Sequence, residues 1–286
     1  MQAGNDPLAQ QMDAAMPDTH PFDLATALTA TDTGVWRGAP APDYANMVGS
    51  FGGATTATVL NAVLSDDRCQ SDPVSMTINL LSAMGTGGFE VVSKLCRTGK
   101  YTQHWTLELV QDGNICAAAT VVCGHRGDTF AYQPVTMPDV PPAEAAGMRD
   151  GRGPLKWLER YRFGFVSGGP DWTGKPKEQF GASRTEVWVG DNPPRPMDYL
   201  SLAALADSFF LRLLHVRGTM QPMGSVSITT HFLANRADIA AQGSAPVLGV
   251  ADAMRFQGNF HDQQMQLWST DGKVLATGTQ LVWYRQ

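Results

Sequence analysis

Long hydrophobic runs are missing from this 286-residue sequence. No apolar stretch approaches the roughly 20 residues that a membrane-spanning helix needs. The N-terminal stretch MQAGNDPLAQQMDAAMPDTHP also lacks the basic region and apolar segment that mark a secretory signal. We therefore expect a cytoplasmic protein with no membrane partner.

Cysteine and positive charge are scarce as well. Four cysteines form no CxxC pair, which disfavours a zinc site, and we expect them to be free thiols: Cys69, Cys96, Cys116 and Cys123. The net charge of −6 is not typical of proteins that coat nucleic acids or bind anionic membranes. We therefore expect no metal, no cofactor and no nucleic-acid partner.

The signatures of several enzyme classes are absent too. The sequence contains no phosphate-binding P-loop and no GxGxxG dinucleotide fingerprint. Residues Gly164–Gly168 read Gly-Phe-Val-Ser-Gly, which is not the Gly-x-Ser-x-Gly spacing of a nucleophile elbow. Nucleotide-dependent enzymes and nucleophile-elbow hydrolases are therefore disfavoured.

What the sequence does contain is an internal repeat. Asp112-Gly113 stands between two alternating segments, and Asp271-Gly272 repeats the arrangement 159 residues later. Asp-Gly at such a place is typical of a tight β-hairpin. Two further parallels keep the same order along the chain: Ser75–Ile78 with Ser225–Ile228, and Pro42–Tyr44 with Met197–Tyr199. The pattern predicts a duplicated α+β module.

The repeat suggests a division of the chain into four parts. We place an N-terminal tail at 1–20, a first module at 21–128, a Pro-rich linker at 129–182 and a second module at 183–286. Seven prolines disfavour a continuous helix or a central strand in the linker: Pro134, Pro138, Pro141, Pro142, Pro154, Pro170 and Pro176. Within it, Leu155–Phe165 suits one short helix or strand.

One acidic residue stands out in the second module. The pattern predicts a helix over Met197–His215, with Gly218 as its stop. Its apolar stripe passes through Leu200, Ala203 and Leu214, and Asp207 lies on that stripe. A core-facing carboxylate costs several kcal/mol unless partners compensate it. The alternative, in which Asp207 caps a second helix that begins at Ser208, stays open.

Two strands of the same module add polar candidates. The strand Ser225–Leu233 alternates, with a polar row on one face formed by Ser225, Ser227, Thr229 and His231. In the last strand, Val274–Tyr284, Gln280 is the only amide in a row of small and apolar residues. The polar row fits either an exposed sheet face or the wall of a cleft, and Gln280 fits either a ligand site or a core hydrogen bond.

The first module differs from the second at these places. Where the second has Asp207, the first has the Gly52-Gly53 pair. The place of Ser227 holds Thr77, and that of Gln280 holds Val121. A purely structural role should have kept both copies alike, so we expect one reaction centre per chain.

These residues resemble the acyl-CoA thioesterase II family, the TesB-like proteins. The matching features, in chain order, are Phe51-Gly52-Gly53, Arg97-Thr98-Gly99 before the Asp112-Gly113 hairpin, Pro193-Pro194-Arg195-Pro196 leading to Ala206-Asp207, Ser227-Ile228, and Thr279-Gln280. The resemblance covers roughly residues 30–130 and 184–286. It implies a tandem hotdog fold of the α+β class, in which an antiparallel sheet wraps a long helix in each half and the first half carries a degenerate site.

The resemblance also implies an activity, the hydrolysis of fatty acyl-CoA to free acid and CoA. In that family a helix Asp, a strand Thr or Ser and a Gln from the last strand hold and activate water. Asp207, Ser227 and Gln280 occupy those places, with Thr229 as the other candidate hydroxyl. Backbone N–H groups of the Gly52-Gly53 pair are candidates to stabilise the oxyanion. Acyl-CoA would be the partner, and a homodimer or larger homo-oligomer is expected.

Two other functions stay open. A catalytically silent acyl-binding or assembly protein could share the fold. A hotdog-type enoyl-CoA hydratase would need a His close after the Asp, whereas His215 lies eight residues after Asp207. Because His231 and Thr229 share the predicted face of Ser227, we expect both to line the substrate site.

Overall fold

The computed structural model of the chain describes residues 19–171 and 174–285. Residues 1–18 of the predicted tail and Gln286 of the predicted second module lie outside the described residues. The strands are β1 (Thr29–Asp32), β2 (Val35–Gly38), β3 (Asp72–Leu80), β4 (Phe89–Thr98), β5 (Thr102–Gln111), β6 (Asn114–Gly124), β7 (Arg149–Asp150), β8 (Tyr161–Ser167), β9 (Thr185–Asp191), β10 (Met223–Phe232), β11 (Val247–Asp252), β12 (Phe256–Gln257), β13 (Phe260–Trp268) and β14 (Val274–Tyr284). The α-helices are α1 (Pro21–Ala25), α2 (Gly52–Leu64), α3 (Tyr199–Leu205), α4 (Arg212–Arg217) and α5 (Arg236–Gln242), and 3₁₀ turns cover Pro42–Tyr44 and Lys156–Arg160.

The strands form one antiparallel sheet, in which each half of the chain supplies a continuous block. Its order is β1-β2-β4-β5-β6-β3-β10-β14-β13-β11-β9-β8-β7, with β12 paired to β13. β3 and β10 therefore join the two halves. At this junction the hydroxyls of Thr77 and Thr229, 152 residues apart in sequence, are hydrogen-bonded at 2.9 Å. The predicted duplication thus corresponds to two blocks joined edge to edge.

The two predicted Asp-Gly hairpins form, with different turns. Asp112 and Gly113 both have positive φ, at 50° and 77°, as the tight two-residue turn between β5 and β6 requires. In the second half the turn between β13 and β14 is longer, and Gly272 adopts a φ of 83°. The shared Asp-Gly dipeptide therefore marks both hairpins, although their turns differ in length.

Helix α2 is enclosed by the sheet and by α3. It packs against β3, β4, β5 and β6 on one side and against α3 on the other. Ten of its 13 residues are buried, so the helix is enclosed on nearly every side instead of presenting one face to solvent. In the described part of the chain, no helix is long and apolar enough to cross a membrane.

The second half does not contain the single helix predicted over Met197–His215. The structure has α3 and α4 instead, separated by residues 206–211. The alternative helix starting at Ser208 is also wrong, because α4 begins at Arg212. The predicted stop is confirmed, since Gly218 caps α4 with a φ of 74°.

Side chains interrupt this helix. The Ser208 hydroxyl donates to the carbonyl oxygen of Leu205 at 2.8 Å, and the Arg212 guanidinium donates to that of Phe210. A continuous helix would use both oxygens for its own N–H groups, so these contacts compete with it. The amide of Leu214, for example, donates to Leu211 at 3.0 Å instead of to Phe210. The break leaves Asp207 in a turn.

The predicted linker 129–182 contains regular structure. Lys156–Arg160 forms a 3₁₀ turn and Tyr161–Ser167 forms β8, which pairs with β9. β7 also lies in this segment and pairs with β8. We therefore propose that the second module begins before β7 and includes much of the segment that proline content marked as linker.

Candidate active site

Asp207 lies in the turn after α3, and its carboxylate faces the first turn of α2. Its side chain is almost completely buried, with 7% exposed. The backbone N–H of Gly53 donates a hydrogen bond to this carboxylate. A Cβ on Gly52 would lie 2.5 Å from Asp207 Oδ2, which explains a glycine at this position. The helix start thus holds an anionic group, as the partial positive charge of its free N–H groups favours.

Gln280 of β14 holds the other side of the carboxylate. Its Nε2 donates to Asp207 Oδ1 at 2.8 Å and to the hydroxyl oxygen of Ser225 in β10. Gln280 is 5% exposed, so these bonds are shielded from water. The structure therefore brings together Asp207 and Gln280, two of the three predicted catalytic side chains, with Ser225 as the hydroxyl.

Ser227, the hydroxyl predicted from the sequence, does not join them. A β-bulge lies between Ser225 and Ser227, because Ser225 pairs with Val282 whereas Ser227 pairs with Leu281. Consecutive residues of β14 face opposite sides, so the two serines do as well. Ser225 therefore shares the face of Gln280, and Ser227 lies on the other face.

The same bulge corrects the placement expected for Thr229 and His231. Thr229 pairs with Thr279 and His231 pairs with Thr277, so both lie on the side of the sheet away from Gln280. Thr229 bonds to Thr77 there, and His231 is exposed. The residues that follow the bulge on the Gln280 face are apolar or fully buried, so β10 contributes Ser225 to the site and neither of the two residues predicted to line it.

The first half carries an equivalent bulge without the polar residues. In β3 the bulge lies between Pro73 and Ser75, which are 152 residues before Ser225 and Ser227. Pro73 therefore stands at the place of Ser225, and Thr77 is not the counterpart that the sequence parallel indicated. Val121 stands opposite Met76, as Gln280 stands opposite Ile228. The first half thus has a proline and a valine where the second has a hydroxyl and an amide.

A proline inside a strand was the signal that could have located the bulge. Pro73 cannot donate a ladder hydrogen bond, and such residues are confined to edges and bulges. A proline at this place therefore indicates an edge position or a bulge, and the structure has a bulge directly after Pro73. If the same bulge is assumed at the equivalent place of the second half, Ser225 becomes the candidate hydroxyl.

The pKa of the Asp207 carboxyl lies close to neutral pH. Burial raises its pKa to about 7, while hydrogen bonds from Gln280 and from the Gly53 N–H act in the opposite direction. A substantial fraction of the carboxyl groups is ionised at neutral pH, as a general base requires. The pKa alone does not mark the site, because burial also raises that of Asp191 to about 7.

Asp207 differs from Asp191 in its access to a cavity of about 840 Å³. Besides Asp207, the wall includes Ser225 and Gly52, and most of the remainder is apolar, with Phe51, Leu155, Trp157, Phe209, Phe210 and Leu214. The uncharged polar residues Asn46, Ser50, Thr55, Ser82 and Gln221 also line it. The rings of Phe51 and Trp157 stack at 4.2 Å, and Phe210 lies against Trp157. Asp207 is the one charged side chain among the described residues that line this cavity. The space suits an uncharged, largely apolar group whose reacting end reaches Asp207.

Comparison with known families identifies the chain. A family model for the C-terminal domain of acyl-CoA thioesterases matches residues 136–284, and one for the N-terminal domain matches residues 41–124. The chain belongs to the acyl-CoA thioesterase family. The C-terminal match of this thioesterase-family chain begins upstream of β7, in the segment predicted as linker.

Solved structures confirm the tandem hotdog fold of this family member. A hotdog protein of unknown function from Alicyclobacillus acidocaldarius is 37% identical, with a TM-score of 0.87 over 94% of this chain and 99% of that one. A putative thioesterase II from Thermobifida fusca shares 16% identity at a TM-score of 0.79, covering 95% and 100% of the two chains. A dehydratase domain from Mycobacterium tuberculosis shares the fold at 15% identity and a TM-score of 0.53, covering 94% and 100%. Comparison with curated proteins gave no significant match.

Proposed function

We propose that this protein hydrolyses fatty acyl-CoA to the free acid and CoA, with Asp207 as the general base. The observation that carries the proposal is a buried carboxyl with a pKa of about 7 at the wall of a large apolar cavity. Family membership supports thioester chemistry for this protein. The residues around Asp207 suit each stage of the reaction.

In the first stage Asp207 takes a proton from water as the oxygen attacks the thioester carbonyl. General bases of this kind contribute about 10²–10⁴-fold to the rate. Gln280 and the Gly53 N–H hold the carboxylate in a fixed orientation. Because the carboxylate is oriented before the substrate binds, little of the barrier is spent on ordering it.

Ser225 is suited to act on the other reacting group. Its oxygen accepts a hydrogen bond from Gln280, which leaves its own hydrogen for a group in the cavity that it lines. In the tetrahedral intermediate that hydrogen would stabilise the developing oxyanion or hold the attacking water. Gly52, also in the cavity wall, stays a candidate for substrate binding, whereas the Gly53 N–H already serves Asp207.

In the second stage the intermediate collapses and the carbon–sulfur bond breaks. The proton held by Asp207 passes to the departing CoA sulfur, so Asp207 is returned to its ionised form and the products are the acid and CoA thiol. Thioester and water are the only reactants that this balance needs.

The hydratase alternative has less support in the structure. It needs a histidine beside the acid, and the described residues lining the cavity include none. His215 is 3% exposed, and burial lowers its pKa to about 3, so it stays neutral. The cytoplasmic location and the homo-oligomer remain predictions from the sequence.

A panel of acyl-CoA substrates with a thiol-reactive dye tests the function. We expect turnover by the parent protein and a loss of at least about 10²-fold in Asp207→Asn at an unchanged or raised melting temperature. Asp191→Asn is the matched control, since it removes a carboxyl of equal burial and similar pKa that does not line the cavity. Acyl-CoA binding without turnover by the parent would instead indicate the silent acyl-binding protein.

A further inference from the structure

A buried chain of hydrogen bonds connects Asp207 to an arginine that the mechanism above does not use. Arg212 of α4 is 0% exposed, and its Nε donates to Gln263 Oε1 of β13 at 3.0 Å. Gln263 Nε2 donates to Gln280 Oε1 at 2.7 Å. Gln280 Nε2 then donates to Asp207 Oδ1 at 2.8 Å. Four side chains from separate elements thus form one series that ends at the proposed base.

The chemistry of the two ends determines the direction of every bond between them. A guanidinium can only donate, and an ionised carboxylate can only accept. An amide presents an acceptor on one side and a donor on the other, so each glutamine has two orientations. With Arg212 at one end, Gln263 must turn its oxygen toward the arginine and its NH₂ group toward Gln280. Gln280 must then turn its NH₂ group toward Asp207 and Ser225.

We propose that Arg212 and Gln263 are positioning residues that fix the amide orientation of Gln280 in the active site. The inference rests on the proposed hydrolase function. If Gln280 were reversed, its oxygen would lie against the oxygen of Asp207. Gln263 would have to reverse too, which would place its NH₂ group against the donors of Arg212. The orientation is thereby kept even while Asp207 carries a proton between the two stages.

The surroundings of Arg212 support a role beyond charge pairing. Among the described residues it makes no ion pair; its remaining donors bind the Ser183 carbonyl at 2.9 Å, the Thr185 hydroxyl at 2.7 Å and the Phe210 carbonyl. Burial lowers its pKa to about 9, which still leaves it charged at neutral pH. The Asp252 carboxylate favours the charged form of Arg212 without forming a contact ion pair with it. The guanidinium donors therefore bind neutral acceptors, Gln263 Oε1 among them.

Gln263→Glu tests the direction of the chain. Glutamate keeps the acceptor for Arg212 and removes the donor to Gln280, so the Gln280 amide should reverse and present its oxygen to Asp207. We expect kcat to fall at least about tenfold with little change in KM, and the acidic limb of the pH profile to move upward because the Asp207 carboxylate loses a donor. Gln264→Glu is the matched control, since the next residue of β13 is exposed on the other face.

A second variant separates orientation from added charge. Gln263→Met removes the donor without introducing a carboxylate, so an upward pH shift in this variant is not a Coulombic effect. Arg212→Lys keeps a donor-only group and should retain more activity than Arg212→Met.

Tyr161 of β8 is the titratable neighbour whose pKa Asp207 affects. Burial first, and then nearby anionic groups, hold the pKa of Tyr161 well above its usual value, so Tyr161 does not titrate in this range.

Unchanged kcat and pH profile in both Gln263 variants would overturn the proposal, even if their melting temperatures fall, because that pattern shows packing alone. If the variants do not fold, side-chain amide NMR of the parent decides instead. The Gln280 amide protons should titrate with a midpoint near pH 7, and their failure to follow Asp207 would equally overturn it. The NMR measurement needs no turnover. If the protein shows no hydrolase activity, the proposed function is rejected, while the NMR measurement still tests the series of hydrogen bonds from Arg212 to Asp207.

Discussion

At the scale of single residues, the site depends on one missing side chain as much as on those present. Gly52 lets the start of α2 come within contact of Asp207, where a Cβ would lie 2.5 Å from Oδ2. Gly53 next to it supplies the N–H that binds the carboxylate. The glycine pair, which the sequence assigned to the substrate, therefore contacts the proposed base directly.

Gly52→Ala should separate activity from stability. The added methyl group displaces the carboxylate, and we expect kcat/KM to fall by about 10²-fold. The added Cβ meets only side-chain atoms of Asp207 and Leu80 and no backbone, so these side chains can shift and the fold should persist. Steady-state kinetics and thermal unfolding check both parts. Gly127→Ala, where a Cβ meets open space, should leave both unchanged; full activity in Gly52→Ala would contradict the geometry.

The raised pKa of Asp207 predicts two pH dependences. The base must be ionised, so kcat/KM should fall as pH decreases through about 7. Stability changes in the opposite direction: the folded protein keeps a proton that the unfolded chain releases near pH 4, so this group's contribution falls as pH rises from about 4 to about 7. Asp207→Asn should therefore gain on the order of 1–4 kcal/mol over the parent between these limits. Urea unfolding at pH 5 and pH 8 measures it, and an equal difference at both values would refute the shift.

At the scale of elements, the bulge in β10 decides which hydroxyl reaches the site. The extra residue between Ser225 and Ser227 puts them on opposite faces, so the strand reverses its alternation in the middle. The break between α3 and α4 acts in a similar way, because it turns Asp207 out of a helical stripe and toward α2.

Ser225→Ala and Ser227→Ala form a matched pair that tests the bulge. We expect Ser225→Ala to reduce kcat about tenfold or more, because it removes the hydroxyl bound to Gln280 and leaves that donor without its partner. Ser227→Ala should change kcat less than about twofold. Steady-state kinetics with one acyl-CoA substrate measures both variants. A larger loss of kcat in Ser227→Ala than in Ser225→Ala would support Ser227, the hydroxyl predicted from the sequence.

At the scale of the whole molecule, two blocks of similar topology have become unequal. In both, the strand at the junction carries a bulge, yet Pro73 and Val121 replace Ser225 and Gln280 in the first half. The first half instead supplies α2, whose start binds Asp207 of the second. One site is thus assembled from both halves.

This asymmetry predicts one acyl-CoA site per chain. Titration calorimetry of Asp207→Asn, which should bind substrate without turning it over, is expected to give a stoichiometry of one. Val121→Gln should not raise it, because Val121 is fully buried and does not line the cavity. A stoichiometry of two for Asp207→Asn would contradict the unequal roles of the two halves.

The sequence by itself predicted the duplication and the strand-and-hairpin order, because repeated motifs and alternation can be read along the chain, and it named Asp207 and Gln280 as candidates. Only the tertiary structure decided that Ser225 and not Ser227 accompanies them, that the helix breaks beside Asp207, and that Arg212 and Gln263 stand behind Gln280. Counting alternate residues fails at a bulge, where one extra residue reverses the faces. Hydrogen bonds between residues 17 to 73 positions apart depend on how the strands pair, which no local pattern specifies.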